Sequence, residues 1–230
     1  MKYSIVLILV LSLCICACGS KTRNIDSYSG DQKKASERVT VAVMDFVPNV
    51  PNPKLNDLKP FCDGLTDMFI SRLKELLPEA NIIERSRLAT IMSEFQLAET
   101  GAIDPETAQK IGRMIGAQTL YYGGVTTLDN RMRLDGRLVR VETTEILSAG
   151  GSECDIKGKD AFKAVDKVAK LAADRTKANY KDLVADVCFS KGRTAEENGD
   201  RDSAIKFYQQ SLQFSSDHEL SQKALKRLKS

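Results

Sequence analysis

The sequence predicts a mixed α/β domain, a mixed sheet with helices packed on it, followed by a small all-α appendage. Three patterns carry that prediction. Val39-Thr-Val-Ala-Val-Met-Asp-Phe46 is β-branched and apolar on both faces until Asp45, as a central strand covered on both sides would be. Strand-like runs crowd the stretch from Thr119 to Ile156. Apolar residues at helical spacing fill the stretches on either side of that cluster and dominate the C-terminal part of the chain.

The N-terminus reads as a targeting segment. Lys2 precedes an apolar run from Ile5 to Leu13 that is shorter than the roughly 20 residues a spanning helix needs. The run ends in Ile15-Cys16-Ala17-Cys18, which resembles the lipobox of type II signal peptides. Residues 1–17 are therefore expected to be a signal peptide, with lipid attached at Cys18. Cys16 is the poorer acceptor because bulky Ile15 precedes it. Each buried methylene of an acyl chain contributes about 0.8 kcal/mol, so several chains hold a protein stably where one is marginal. Gly19, rather than Asp, follows the cysteine, which by the enteric sorting convention implies the outer membrane, with the folded part facing the periplasm.

Residues 18–38 are polar and read as a lipidated, flexible tether. About twenty such residues have a typical end-to-end distance of about 25 Å. The charge of +3 over 230 residues is close to balance, and no basic stripe points to nucleic acid. Once the signal peptide is removed and Cys18 acylated, the thiols left are Cys62, Cys154 and Cys188. An oxidising envelope permits one bridge among them, but no CxxC pair remains, and free buried cysteines are expected.

From residue 39 the elements follow in order. After the strand to Phe46 comes a stretch with Pro48, Pro51, Pro53 and Pro60, read as irregular. Phe61, Leu65, Met68, Phe69, Leu73, Leu76 and Leu77 make one helix face, and Asn81 to Glu84 a short strand. Ser86 caps a helix with Leu88, Ile91, Met92 and Phe95, closed by Gly101. Asp104-Pro105 opens another, which Gly116 ends. Thr119–Leu128 and Arg133–Val141 meet at the tight-turn signal Asp129-Asn130, and Ile146–Ile156 is a third strand. Arg133, Asp135, Arg137 and Arg140 imply a wet sheet face or edge there. Asp160 starts a long helical region that continues toward and past Tyr180.

Several of these segments in series resemble a known family. They are Val41-Ala-Val-Met-Asp-Phe46, Ile83-Glu-Arg-Ser86, Glu94 to Gly101, Ile115-Gly-Ala117, Gly123-Gly124, Arg137-Leu-Val-Arg-Val141 and Thr144-Glu-Ile-Leu-Ser148. In this order and spacing they resemble the CsgG family, the curli production assembly/transport component and its relatives, over about residues 39–175. The resemblance implies a periplasmic α/β domain carried by an outer-membrane lipoprotein, here assigned to residues 39–184. In the curli secretion channel each subunit adds two amphipathic hairpins to a membrane barrel. This sequence departs from that pattern: only a tight turn fits between Leu128 and Arg133, and Lys157-Gly-Lys-Asp160 passes straight into a helix. A membrane strand needs about 9–11 residues.

Residues 185–230 form the appendage. Gly192, Ala195, Gly199, Ala204, Tyr208 and Leu212 fall where a tetratricopeptide repeat, a helix–turn–helix of about 34 residues, carries its small and large packing residues. A plain helical hairpin is the alternative. Leu220, Ala224, Leu225 and Leu228 fit a cap helix. A single repeat cannot bury its own faces and must dock on something. Gly192, Ala195, Gly199, Ala204 and Tyr208 are thus the candidate protein-binding positions.

No Walker loop, Gly-x-Gly-x-x-Gly or metal-binding His-Glu cluster is present, so no cofactor, metal or catalytic residue is assigned. The single histidine, His218, falls at a helix–helix turn and is expected to be exposed. Asp45 reads as a turn acceptor and Arg85 as structural. The expected function is a non-enzymatic envelope lipoprotein that docks other proteins during assembly or transport. Its partners would be the membrane, through the acyl groups on Cys18, and other envelope proteins, with a homo-oligomer left open. A curli-type channel subunit and a lipoprotein regulator of peptidoglycan synthases are the alternatives.

Overall fold

The computed structural model describes residues 38–49, 59–83, 88–90, 93, 105–128, 131–155 and 160–229. The signal segment, Cys18, most of the tether, Glu84 to Ser86, Gly101 and the Asp129-Asn130 turn lie outside them. The elements are β1 (Thr40–Val43), β2 (Val47–Pro48), α1 (Lys59–Leu76), β3 (Asn81–Ile82), α2 (Pro105–Ile115), β4 (Thr119–Leu128), β5 (Arg131–Arg140), β6 (Ile146–Asp155), α3 (Asp160–Ala178), α4 (Tyr180–Glu197), α5 (Arg201–Phe214) and α6 (Glu219–Lys229).

The sheet runs β3-β1-β4-β5-β6, with β2 also on β4. β1 is parallel to β3 and β4, whereas β4, β5 and β6 form an antiparallel meander. The mixed sheet follows from the connections: helices separate the parallel strands, and a two-residue gap joins β4 to β5, whose pairing reaches Leu128 opposite Arg131.

Alternation along the strands sorts the core into two layers. Val41 and Val43 of β1, Tyr121 and Val125 of β4, and Met132, Leu134 and Leu138 of β5 face α1 and α3. There Phe69 stacks on Tyr121 with centroids 4.2 Å apart, and Phe46 meets Phe69 edge-on at 5.5 Å. Leu183 and Val184 at the start of α4 join this layer. Ala42, Leu120, Tyr122, Val139 and Val141 face the other way, under Ala108 and Ile111 of α2. Among the described helices α1 to α6, α2 alone covers this face, and only at that end. Farther along, Arg133 and Arg137 are exposed and Asp135 half-exposed, so three of the four charges read as a wet face lie where no described helix covers this layer, whereas Arg140, read with them, is turned into a pair with buried Asp186.

Three expectations need correction. The first strand ends at Val43 rather than Phe46, because the Phe46 N–H leaves the ladder and donates to Thr66 Oγ1 on α1 at 2.9 Å. Pro48 is not irregular: it sits in β2, paired with Val125. Among the described strands β2 borders only β4, so the missing N–H of Pro48 costs no ladder bond there. Pro60 lies in the first turn of α1, where the N–H would be unpaired anyway. The long helix after Asp160 breaks at Asn179, whose φ is −101°. Just before the break, the Thr176 hydroxyl donates back to the Ala172 carbonyl, a bond that bends helices. Cys62, Cys154 and Cys188 are buried thiols that form no disulfide among the described residues.

Candidate protein-docking surface

The last three helices form a hairpin and a cap. α4 ends at Asn198 and Gly199, whose φ of +78° makes the reversal at little cost. Asp200 caps α5 by accepting from the Ser203 N–H at 3.0 Å. The close approach of α4 and α5 rests on Gly192: a Cβ there would lie 2.5 Å from Cε1 of Tyr208. Tyr208 and Ala204 are fully buried and pack with Ala224 and Leu225 of α6, against half-buried Ala195 and Leu212. The Tyr208 hydroxyl donates to Glu196 Oε2 at 2.8 Å, and Arg227 of α6 donates to the same carboxylate at 2.7 Å. Burial, then the bond to Glu196, holds the Tyr208 hydroxyl well above the usual phenol range. The candidate positions therefore come together: Gly192, Ala195, Ala204 and Tyr208 build the hairpin interior, and Gly199 its exposed turn.

This helical unit is joined to the sheet by a buried polar seam. Asp186 of α4 is fully buried. Arg140, at the end of β5, donates to it twice, Nε to Oδ2 at 2.6 Å and Nη2 to Oδ1 at 2.9 Å. Burial disfavours the Arg140 charge, but the Asp186 carboxylate more than offsets it and the guanidinium is held above its ordinary range. His218 contradicts its expected exposure: it is 6% exposed, with Nε2 at 2.9 Å from Asp186 Oδ1. A carboxylate only accepts, so Nε2 carries a proton. On the other side, Nδ1 meets Ser221 Oγ at 2.9 Å, Ser221 donates to Ser211 Oγ at 2.8 Å, and Ser211 donates to the Ala185 carbonyl at 2.9 Å. The turn before α6 is thus pulled inward by its imidazole. A second tie lies beside it: Glu142 accepts from Arg193 of α4 at 2.9 Å and from Arg113 of α2 at 3.3 Å.

Sequence reasoning missed this seam, although one signal was present. Asp186 interrupts the run Leu183-Val-Ala-Asp-Val-Cys188, and a charge inside a buried stretch requires a partner. Nothing nearby in sequence pointed to Arg140 as that partner.

With its interior spent on self-packing and its inner side on the seam, the unit presents a polar outer face. Lys206, Gln209 and Gln213 of α5 and Gln222, Lys223 and Lys226 of α6 are exposed. Phe214, 37% exposed, is the one large exposed apolar side chain of α4–α6 among the described residues.

The fold and this appendage define a mixed α/β sheet protein with a C-terminal helical unit. Residues 25–136 match the family model of the curli production assembly/transport component CsgG, which supports the CsgG family for that stretch of the chain. A search of curated proteins found no match. Among solved structures, the lipoprotein GNA1162 from Neisseria meningitidis is similar at 14% identity and a TM-score of 0.42, over 61% of this chain and 97% of that one. The LpoB C-terminal domain from Salmonella enterica is similar at 16% identity and a TM-score of 0.33, over 51% of this chain and 82% of that one. The PelC dodecamer from Paraburkholderia phytofirmans is similar at 12% identity and a TM-score of 0.35, over 60% of this chain and 88% of that one.

Proposed function

We propose that this chain is a non-enzymatic lipoprotein of the CsgG family, anchored to the outer membrane through acyl groups on Cys18, that docks other envelope proteins. Its role would be in assembly or transport related to curli production. α4 and α5 act in this reading as a tetratricopeptide-like repeat with α6 as cap, and Gly192, Ala195, Gly199, Ala204 and Tyr208 set its shape. The observation that carries it is the fixed mounting of the helical unit: the Arg140–Asp186–His218 seam holds α4 and the α6 turn on the sheet, so the outer faces of α5 and α6 are offered at a defined angle. The short connections support docking over pore formation, since two residues separate β4 from β5 and four separate β6 from α3.

The reading is tested by a photo-crosslinking side chain in place of Phe214 in the full-length lipoprotein, irradiated in cells. A discrete adduct with one envelope protein, absent when the probe is moved to exposed Lys177 on α3, is expected. No adduct at position 214, or the same adducts from both positions, would sink it. Conductance by the purified protein in liposomes would instead revive the channel reading.

A further inference from the structure

The half of this sheet face that no described helix covers forms a second candidate site, distinct in residues and chemistry from the helical unit. A groove of about 570 Å3 lies there, lined by Asn49, Tyr122, Arg133, Asp135, Arg137 and Ala149, with glycine backbone between them. Ligand pockets commonly span about 300–1,000 Å3. Its floor is kept low by two glycines on this face. A Cβ on Gly124 would lie 2.1 Å from Asn49 Oδ1, and one on Gly151 would lie 2.3 Å from Asp135 Oδ1. Glycine at both places lets the Asn49 and Asp135 side chains lie across the neighbouring strand.

The charges of the groove are unequally spent. Arg133 donates to Asp135 at 2.9 Å and to Glu153 at 3.2 Å. Arg137, on the same face of β5 and opposite Tyr122 and Ala149, has no hydrogen bond or ion pair among the described residues. Tyr122, in the wall, is 8% exposed, and its hydroxyl is buried with no hydrogen-bond partner among the described residues. A buried hydroxyl without a partner costs on the order of 1–3 kcal/mol. Among the described residues the groove therefore holds one uncommitted cation, Arg137, beside an Arg133–Asp135 pair.

We propose that this groove binds a peptide through its free α-carboxylate, with Arg137 as the anchoring residue. The guanidinium fork matches the two oxygens of a carboxylate. Asp135, two residues away on the same face and about 6–7 Å along the strand, offsets the charge of Arg133, so Arg137 alone carries surplus charge, which suits a monoanion better than the phosphate dianion. The glycine and alanine floor leaves space for main chain, and Asp135 and Asn49 can meet peptide N–H groups.

The test uses the full chain in detergent micelles, followed by amide NMR of Gly123, Gly124, Gly136 and Gly150, which line the groove. The probes are acetyl-Ala-Ala with a free carboxylate, the same peptide as its C-terminal amide, and inorganic phosphate. Saturable shifts of these glycine signals are expected with the free acid, weaker by about tenfold or more for the amide and for phosphate. Arg137→Gln is expected to weaken the acid by about tenfold while leaving the spectrum of the rest of the sheet unchanged. Arg137→Lys, which keeps the charge but loses the fork, should fall between. Arg131→Gln, outside the groove, should bind as the native chain does. Equal binding of acid and amide, tighter binding of phosphate, full binding by Arg137→Gln, or no saturable shift would each overturn the proposal. Crosslinking at Phe214 is independent of all these outcomes, so the two readings fail separately.

Discussion

Two glycines on helices have opposite expected responses to the same substitution, because one has a neighbour and the other has none. In Gly192→Ala the new methyl meets Cε1 and Cδ1 of Tyr208 at 2.5 and 2.6 Å. That ring is 1% exposed, and its hydroxyl is tied to Glu196, so it has little room to turn away. Overpacking of about 1–3 kcal/mol opposes a helix-propensity gain of about 1 kcal/mol, and the overpacking wins. Urea unfolding should show a net loss of up to about 2 kcal/mol. In Gly64→Ala, on the exposed side of α1, nothing lies within 4 Å of the new methyl, and a gain of up to about 1 kcal/mol is expected. Cys62 gives a pH-dependent readout at the same scale. Burial first, then the Asp63 charge, pushes its thiol up to about 11. A raised acid pKa stabilises the fold fully below the ordinary thiol range and loses that contribution as pH climbs toward 11. Near pH 8 the native Cys62 should hold about a hundredfold less thiolate than an ordinary thiol, so iodoacetamide should label it slowly until the chain is unfolded. Fast labelling of the native protein at that pH would contradict this environment.

At the scale of elements, the strands and helices that stack locally were legible, and the contacts between distant elements were not. Val39 to Val43, the helix starting near Phe61, the Pro105 opening and the Gly116 end of α2 follow from β-branching, apolar period and backbone chemistry within a few residues. Phe46 and Pro48 were misread because their fates depend on Thr66 and Val125, which no local pattern names. His218 was misread for the same reason: its partner Asp186 is 32 positions away, and polar residues at turns are usually wet. The helical hairpin was readable from apolar residues at helical spacing on either side of Gly199, but the seam that mounts it has no local signal beyond Asp186. That seam is what fixes α4 and α6 on β5, and Asp186→Ala should release it. The substitution leaves Arg140, whose side chain is 14% exposed, without its carboxylate. Breaking a buried pair from one side costs about 3–5 kcal/mol. The expected result is a loss of that order in unfolding free energy, together with new amide exchange along α5 and α6. A near-neutral effect would mean that apolar packing alone mounts the helices.

For the whole molecule the decisive quantity is how much chain is left over to enter a membrane. β4 and β5 pair through their last residues, Leu128 against Arg131, and α3 starts five positions after β6 ends at Asp155. A transmembrane hairpin needs two strands of about 9–11 residues with an apolar face, which neither gap can hold. No helix among the described residues is long and apolar enough to cross a membrane. The proposed hold lies before the sheet, in acyl groups on Cys18. Replacing it should then separate anchoring from folding. Cys18→Ser, expressed with its own signal segment, is expected to leave the membrane fraction while keeping native urea unfolding. The native chain should stay with the membranes after a high-salt wash, because acyl burial, unlike ion pairing, is not screened. Retention of Cys18→Ser in washed membranes would show that some other part of the chain reaches lipid.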